Sequence, residues 1–310
     1  MRTRVIFFGM LLACFCLPGA VAVFGQGQDD DVRGAFLTTR PKVAEKSNRN
    51  NESARANRRR PKRVESKSTT STSSTSSVDT TAGAKVTVVV DSKPSTQKIG
   101  LGLTLFARND VGMAVQVDPS RVFHKGDRVR VLLETNADGY LYIFNTTDGG
   151  RPVMIYPDKD LDEGGNYIQS HVPLEIPSSG ASEERLRWLA FDDRPGDERL
   201  YFVFTRDPLP GVPIEDDLLA YCRGKANGCS WQPAAELWEQ VQKEMNSPVL
   251  IAKAQRNGRG QTSGEQQAAT RGIGLSKEDP GPSMVMLTTS TNKNLLVATL
   301  DLIHKPTGSN

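Results

Sequence analysis

Histidine and cysteine are scarce in this chain, which has three histidines and four cysteines among 310 residues. A metal site or a serine–histidine–aspartate relay would have to use His124, His171 or His304, and none of these lies in a nucleophile-elbow or zinc-protease motif. The chain also has no glycine-rich phosphate loop, and Gly100-Leu101-Gly102 lies in a strand pattern without the third glycine of a dinucleotide fingerprint. We therefore interpret the histidines as incidental and expect no catalytic residues and no cofactor.

The first residues, 1–25, are typical of a secretory signal peptide. Two arginines precede an apolar run from Val5 to Leu17, and Ala20-Val21-Ala22 matches a cleavage pattern. The run is shorter than the roughly 20 residues that span a bilayer, and no later segment reaches that length. We expect an exported protein, periplasmic or extracellular, with no stable membrane span after cleavage.

Two cysteines remain once the signal is removed, and they are Cys222 and Cys229. Disulfides persist in oxidising compartments, and a bridge across a loop this short is worth about 2.5 kcal/mol in the chain-entropy model. A C-x6-C spacing matches no zinc-site pattern. The sequence therefore predicts a disulfide.

Residues 26–83 lack apolar periodicity. Twelve lysines and arginines stand against three glutamates in 33–67, and 68–77 is an unbroken run of serine and threonine. Such a composition does not bury enough surface to offset its conformational entropy, so we predict a disordered linker. The basic cluster could bind an anionic lipid or polymer, but no aromatic residue is interleaved to stack on bases, so we expect no specific nucleic acid.

Residues 84–305 show the period-two pattern of β-strands. We predict a mainly β fold, an antiparallel sandwich or barrel-like domain, beginning with a strand at Lys85–Val90. Asp138-Gly139 and Asp148-Gly149-Gly150 predict two successive hairpins. The strands 140–144 and 200–204 are apolar on both faces, which indicates interior strands covered on both sides.

Helix is expected in one or two short stretches. Pro213 opens a candidate that runs through Tyr221, and Pro233 opens a second over Ala234 to Met245, where apolar residues recur at helical spacing. Residues 246–282 are rich in glycine, glutamine and serine and predict a mobile insertion, followed by two closing strands.

Short motifs follow one another in order over residues 99–212, and their residues include Gly126, Asp127, Gly139, Tyr140, Tyr142, Pro157, Pro177, Pro195, Gly196 and Glu198. This order of motifs resembles the bacterial family called domain of unknown function 4384. The resemblance implies a β-rich module whose biochemical role is not established, found alone behind an export signal or joined to kinase-like or caspase-like domains, and it brings no catalytic residues.

Two of these motifs have a scaffold interpretation beside a functional one. Gly126-Asp127 and Pro195-Gly196 fit turns that lead into strands. Tyr140 and Tyr142 lie on one face of a strand, where they either pack in the core or stack on a sugar ligand.

The acidic loop 158–166 is the sharpest candidate for a site. Asp158, Asp160 and Asp162 alternate along it and could direct oxygens at one calcium ion. The positions of glycine and glutamate in this part of the chain do not match those of an EF-hand loop, and a solvated loop is the alternative. Paired carboxylates could also serve glycoside hydrolysis, and Glu163, Asp192 and Asp193 are the nominal candidates.

From these features we expect an exported, noncatalytic, β-rich interaction module of the bacterial cell envelope, whose partner is an unidentified envelope protein or polymer. The alternative is a calcium-stabilised or carbohydrate-active envelope protein that uses the acidic loop 158–166.

Overall fold

A computed structural model describes residues 26–42, 97–161, 164–225, 229–254 and 257–306. The described chain is mainly β, as predicted, and contains four α-helices: α1 (Gln26–Leu37), α2 (Glu215–Cys222), α3 (Ala235–Met245) and α4 (Ser263–Arg271). The strands are β1 (Gly100–Arg108), β2 (Ala114–Gln116), β3 (Val122–Phe123), β4 (Arg128–Thr135), β5 (Gly139–Thr147), β6 (Val153–Tyr156), β7 (Tyr167–Ile168), β8 (Leu174–Ile176), β9 (Leu189–Ala190), β10 (Gly196–Thr205), β11 (Val249–Lys253), β12 (Met284–Thr288) and β13 (Leu295–His304).

The strands form two sheets that pack face to face, which makes the domain a sandwich and not a closed barrel. The first sheet has the order β11-β12-β1-β4-β8, with β2 beside β1 and β9 beside β4. The second sheet has the order β3-β13-β10-β5-β6, with β7 beside β5. All pairings are antiparallel except that of β3 with β13.

One of the two predicted hairpins is wrong. β5 and β6 pair as predicted, but β4 belongs to the first sheet and β5 to the second, so the chain crosses between sheets at Asp138-Gly139. The Asp138 carboxylate accepts the backbone N–H of Ser170 at 2.7 Å, which fixes this crossing. An Asp-Gly pair predicts a tight turn. The strands on either side of such a turn can pair in one sheet or lie in two sheets that face each other across a core.

The core between the sheets follows from the period-two pattern. Leu101, Leu103 and Leu105 of β1 face inward, as do Leu200, Phe202 and Phe204 of β10 in the opposite sheet. The predicted interior strands are confirmed, because β5 and β10 pair at the centre of the second sheet and are buried on both faces.

The outer face of the second sheet is covered by α2 and α3. Val241 is fully buried there, and Trp238 of α3 packs edge-on against Phe144 and Tyr201, which confirms the predicted helix and the core role of its apolar stripe. Cys222 and Cys229 lie at bonding distance with a Cα–Cα separation of 5.2 Å, as predicted. We call this aromatic layer the second-sheet cover.

The predicted disordered linker is wrong for residues 26–42, which we call the N-terminal segment. Helix α1 packs on the first sheet with Phe36 fully buried, and Arg40 is 2% exposed. The segment is held by Val32 and Phe36 and by a few polar contacts, and the rest of it is largely polar, so its composition gave no helical signal. Residues 1–25, the predicted signal, and 43–83 of the predicted linker lie outside the described residues, as does the predicted strand at 85–90.

The predicted mobile insertion over 246–282 is also wrong. It contains β11 and α4, and α4 begins with a capping box in which Thr262 and Glu265 exchange side-chain and backbone hydrogen bonds. Ala269 of α4 packs on Phe106 and Leu132 of the first sheet. The N-terminal segment and α4 together form the first-sheet cover, and they raise the number of helices above the one or two predicted. Within the described ranges no helix is long and apolar enough to cross a membrane.

Candidate functional site

A cavity of about 280 Å³ opens between the two sheets at one end of the sandwich. Its wall combines the start of β4 and strand β9 from the first sheet with the ends of β5, β10 and β13 from the second. We call it the sandwich mouth, and it is lined by Val129, Asn145, Ile155, Leu189, Ala190, Phe191, Asp192, Arg194, Glu198, Leu200, Leu302 and His304.

The alternation of side chains along a strand explains why polar and apolar side chains lie side by side in the sandwich mouth. Leu200 and Leu302 belong to the buried core between the sheets. Glu198 lies two residues before Leu200 on β10, and His304 lies two residues after Leu302 on β13. Because side chains two apart share a face, both polar residues point to the same side as the core leucines, where the sheets part.

Asn145 and Glu198 form the polar centre of the mouth. The Asn145 Nδ2 group donates to Glu198 Oε2 at 2.8 Å, and the Thr147 hydroxyl donates to the same carboxylate at 2.9 Å. The buried Oδ1 atom of Asn145 has no hydrogen-bond partner. The neighbouring Arg199 pairs with Asp301, and no described cation forms an ion pair with Glu198. The centre of the mouth therefore presents the Glu198 carboxylate, which still has capacity for a donor, beside a buried acceptor of Asn145.

Phe191 is positioned by the Gly126-Asp127 motif. Gly126 adopts φ 90°, a conformation that favours glycine, and its N–H donates to the Phe191 carbonyl at 2.9 Å. The Phe191 N–H in turn donates to the Asp127 carbonyl at 3.0 Å. The Phe191 ring stacks on Phe123 at 4.8 Å and lies 5.1 Å from the His304 ring, so this motif builds one wall of the mouth.

Asp192 and Arg194 form a local pair at the rim. The Asp192 carboxylate accepts the backbone N–H of Arg194 at 2.8 Å and two guanidinium N–H groups at 2.8 and 3.0 Å. These hydrogen bonds, first from the backbone and then from the side chain, lower the pKa of Asp192. Asp193 lies 4.0 Å from the Lys125 ammonium, and Glu163 lies outside the described residues.

The acidic loop shows local hydrogen bonding at the two aspartates that are described. The Asp158 carboxylate accepts the Asp160 N–H at 2.7 Å, and the Asp160 carboxylate pairs with Lys159 at 2.6 Å. Asp162 lies outside the described residues. Within the described part of the chain no three histidine, cysteine, aspartate or glutamate side chains form a group that could hold a metal ion, and the calcium site stays a prediction.

Tyr140 and Tyr142 pack in the second-sheet cover, which decides between their two interpretations. Tyr140 is 5% exposed and Tyr142 is fully buried. The Tyr142 hydroxyl accepts the Leu209 N–H at 3.0 Å, and burial raises the pKa of Tyr142. Both are therefore buried residues of this layer.

The other motif residues lie at strand boundaries. Gly139 begins β5, and Gly196, which follows Pro195, begins β10 beside the Asp148 carboxylate. Pro157 and Pro177 follow β6 and β8, each after a cis peptide bond. Of the predicted motif residues, only Glu198 lines the sandwich mouth directly.

Sequence reasoning missed Asn145 and His304. The available signal was their place directly after the apolar runs of β5 and β13, on the inward side of each strand. His171, which we interpreted as incidental, is buried and has a structural hydrogen-bonding role. Its Nδ1 atom lies 2.7 Å from Glu134 Oε1, and its Nε2 atom lies 2.7 Å from the Thr39 hydroxyl.

The family comparison covers most of the residues that build this mouth. Residues 122–208 match the family model of a domain of unknown function (DUF4384). Over these residues the chain is therefore similar to the DUF4384 family. Neither a curated protein nor a solved structure matches the chain. The DUF4384 match contains Asn145, Phe191 and Glu198, whereas His304 is contributed by strand β13 beyond it.

Proposed function

We propose that this chain is an exported, noncatalytic interaction module of the bacterial cell envelope, and that its sandwich mouth binds a lysine or arginine side chain of a partner envelope protein. Export is supported by the basic and apolar pattern of residues 1–25 and by the bonded position of Cys222 and Cys229, since disulfides persist in oxidising compartments. Mass spectrometry of the chain from fractionated cells, before and after thiol alkylation, tests this part of the proposal.

One observation carries the choice of ligand. The buried Asn145 Oδ1 atom lacks a donor, and the Glu198 carboxylate beside it has no cation in the described structure. A carboxylate with spare acceptor capacity and no paired cation favours a group that only donates, such as an ammonium or guanidinium group. The floor of Leu200 and Leu302 suits the aliphatic stem of such a side chain.

Charge around the mouth favours the same ligand. A neighbouring cavity of about 560 Å³ shares Glu198 and Leu302 with the mouth. Five carboxylates and two guanidinium groups line the two cavities together, and both guanidinium groups are already paired with carboxylates. The carboxylates are Asp148, Asp192, Asp197, Glu198 and Asp301. The surplus of negative charge attracts basic segments.

The rim aspartate supports a binding role over a catalytic one. Arg194 holds the Asp192 carboxylate through three hydrogen bonds and lowers its pKa. A carboxylate with a lowered pKa is a weak proton acceptor near neutral pH, and a general acid or base needs a pKa near the working pH.

The test is a titration of the full mature chain with two short peptides that differ only in a central lysine or its neutral isostere norleucine, followed by NMR. We expect the lysine peptide to shift the Asn145 amide signals and to bind at least about tenfold more tightly than the norleucine peptide. Glu198→Gln should abolish this preference, because it removes the charge and keeps the shape.

Glu239→Gln is the matched control, because Glu239 is exposed on α3 and lies outside the mouth. It should leave the lysine preference unchanged. Equal binding of the two peptides, or a lysine preference that survives Glu198→Gln, would refute the proposed ligand.

A further inference from the structure

The N-terminal segment is seated on the first sheet through one aromatic ring. Phe36 is fully buried and Val32 nearly so, against an apolar patch of β11 and β12. The ring lies over Gly100 and Gly102 of β1. A Cβ atom at Gly100 would lie 2.9 Å from Phe36 Cδ2, and one at Gly102 would lie 3.2 Å from Phe36 Cζ. The Leu287 side chain at Gly100 and the Pro282 ring at Gly102 would lie closer still to these Cβ atoms, so the two glycines leave space that the Phe36 ring shares with these side chains.

A buried arginine follows the ring. The Arg40 guanidinium binds Glu134 through both carboxylate oxygens, at 2.8 and 2.5 Å, in a fork-to-fork pair. Its remaining donors reach three backbone carbonyls of the loop after α4 at 2.8 to 3.2 Å, those of Ser276, Asp279 and Pro280. Each nitrogen of the Arg40 guanidinium thus donates to a specific group of the domain.

Two further contacts extend the recognition. The Arg33 guanidinium donates to the carbonyls of Pro282 and Ser283 at 2.8 and 2.9 Å. The Thr39 hydroxyl contacts His171, which in turn contacts the Glu134 carboxylate that binds Arg40. His171 and Glu134 therefore act as one polar receptor for the end of the segment.

These contacts have the form of peptide recognition by a groove. Val32 and Phe36 are four residues apart on α1, so they lie on the side of the helix that faces the domain, and Arg40 follows three residues after the helix ends at Leu37. Amphipathic helices that bind grooves use anchors at such spacing. In sequence, residues 43–96 separate this segment from the first described residue of the sandwich, and its described polar contacts with the domain include the hydrogen bonds of Arg33, Thr39 and Arg40 and one backbone bond from Lys277 to Pro41.

The geometry points to a peptide-recognition groove on the outer face of the first sheet, built from Gly100, Gly102, Glu134 and His171. Its ligand is a segment with a phenylalanine in the last turn of a helix and an arginine four residues later, after the helix has ended. The occupant in this chain is its own N-terminal segment, which the groove accepts equally from a separate molecule. The segment is thus an exchangeable ligand and not an integral part of the core.

The test uses the full mature chain and a fluorescent peptide with the sequence of residues 26–42. In the wild-type chain the tethered segment competes with the peptide, since a tethered ligand has a high effective concentration. Phe36→Ala in the chain disables the tethered segment and leaves every groove residue intact. We expect the Phe36→Ala chain to bind the peptide at least about tenfold more tightly than the wild-type chain in fluorescence anisotropy.

Two variant peptides check the recognition. A peptide with Phe36→Ala should lose binding, whereas one with Thr38→Ala should bind normally, because Thr38 is exposed and its hydroxyl contacts only the backbone of its own helix. Equal binding to both chains, or no binding to a Phe36→Ala chain that still unfolds cooperatively, would overturn the inference.

Hydrogen exchange on the wild-type chain gives an answer even where Phe36→Ala does not fold. The amides of α1 should exchange through a local opening at a lower free energy than those of β4. Exchange of α1 and β4 at the same free energy would make the segment part of the core, which contradicts the proposal.

Discussion

The two sheets of this sandwich are covered by layers of opposite chemistry. The second-sheet cover consists of aromatic and aliphatic side chains, with Trp238 against Phe144 and Tyr201. The outer face of the first sheet and the first-sheet cover on it share three buried or half-buried arginine–glutamate pairs, which we call the ionic cover: Arg40–Glu134, Arg130–Glu175 and Arg259–Glu265. The apolar cover is specified by a local helical pattern, whereas the ionic cover is specified by single partners from distant parts of the chain.

The two layers also differ in how they tolerate loss of a side chain. An apolar cover loses area in proportion to what is removed. A buried ion pair resists the cost of desolvation only while both partners and their hydrogen bonds are present. The ionic cover should therefore fail abruptly at single positions, and the aromatic cover should weaken gradually.

The largest effect is expected for Arg130→Met. Arg130 pairs with Glu175 at 3.3 Å, and its guanidinium lies 4.1 Å from the centre of the Trp188 ring. Without it, the buried Glu175 carboxylate has no cation, and we expect the free energy of unfolding to fall by about 3–5 kcal/mol. Urea denaturation measures this. The double variant with Glu175→Gln should recover part of the loss, and a double variant as unstable as the single one would argue against the ionic cover.

A smaller effect is expected when the second-sheet cover loses its cross-link. The two cysteines of the Cys222–Cys229 disulfide are seven residues apart in sequence, and its reduction opens a loop at the end of α2. We expect a loss of about 2.5 kcal/mol from the chain-entropy model. Thermal melts with and without reductant test it, with the double serine variant as a control that reductant should not change. A stability unaffected by reduction would mean that the helices hold this cover without the bridge.

The smallest effect is a response of the second-sheet cover to alkali. Burial, and then the nearby Asp138 carboxylate, raise the pKa of Tyr167 to about 12. Because the folded pKa exceeds the unfolded value near 10, this stability is complete below pH 10 and is lost as the pH rises towards 12. We expect a loss of about 1 kcal/mol, since the ring is only partly buried.

Denaturant melts between pH 9 and 11 measure this loss, and Tyr167→Phe should reduce it. Tyr221→Phe is the control, because Tyr221 is exposed. The same pH dependence in the wild type and in Tyr167→Phe would assign the alkaline loss to another group.

Much of the second sheet could be predicted from sequence. The apolar runs of β5 and β10 indicated interior strands, and the spacing of Leu237, Trp238 and Val241 indicated α3. Each is a local sequence pattern that does not depend on the position of the strand or helix in the fold. The place of β4 in the other sheet could not be predicted, because a tight bend permits either a hairpin or a crossing.

The first-sheet cover escaped prediction for a different reason. Arg40 lies in a basic, polar stretch, and its partner Glu134 is 94 residues away. Arg130 and Glu134 alternate with apolar residues on β4, which indicates a solvated outer face, yet they are 4% and 3% exposed. A charge that is buried by a distant partner has the same sequence pattern as one in solvent.

The candidate site was predicted only in part. Glu198 was singled out as a motif residue, while Asn145, Phe191 and His304 were not assigned to any site. They lie together because β5, β10 and β13 each have an end at the place where the two sheets diverge. A periodic pattern predicts the face of the strand on which a side chain lies, but not the position of a strand end in the assembled sandwich.

The sequence alone determined that this chain folds as sheets with alternating buried side chains, that α3 presents an apolar face and that two cysteines are close enough to bond. The tertiary structure decided which sheet each strand joins, which charges are buried and where the sandwich opens. The physical reason is sequence separation. Periodicity depends on residues that are close in sequence, whereas an ion pair, a groove and a cavity each depend on residues that only the folded chain brings together.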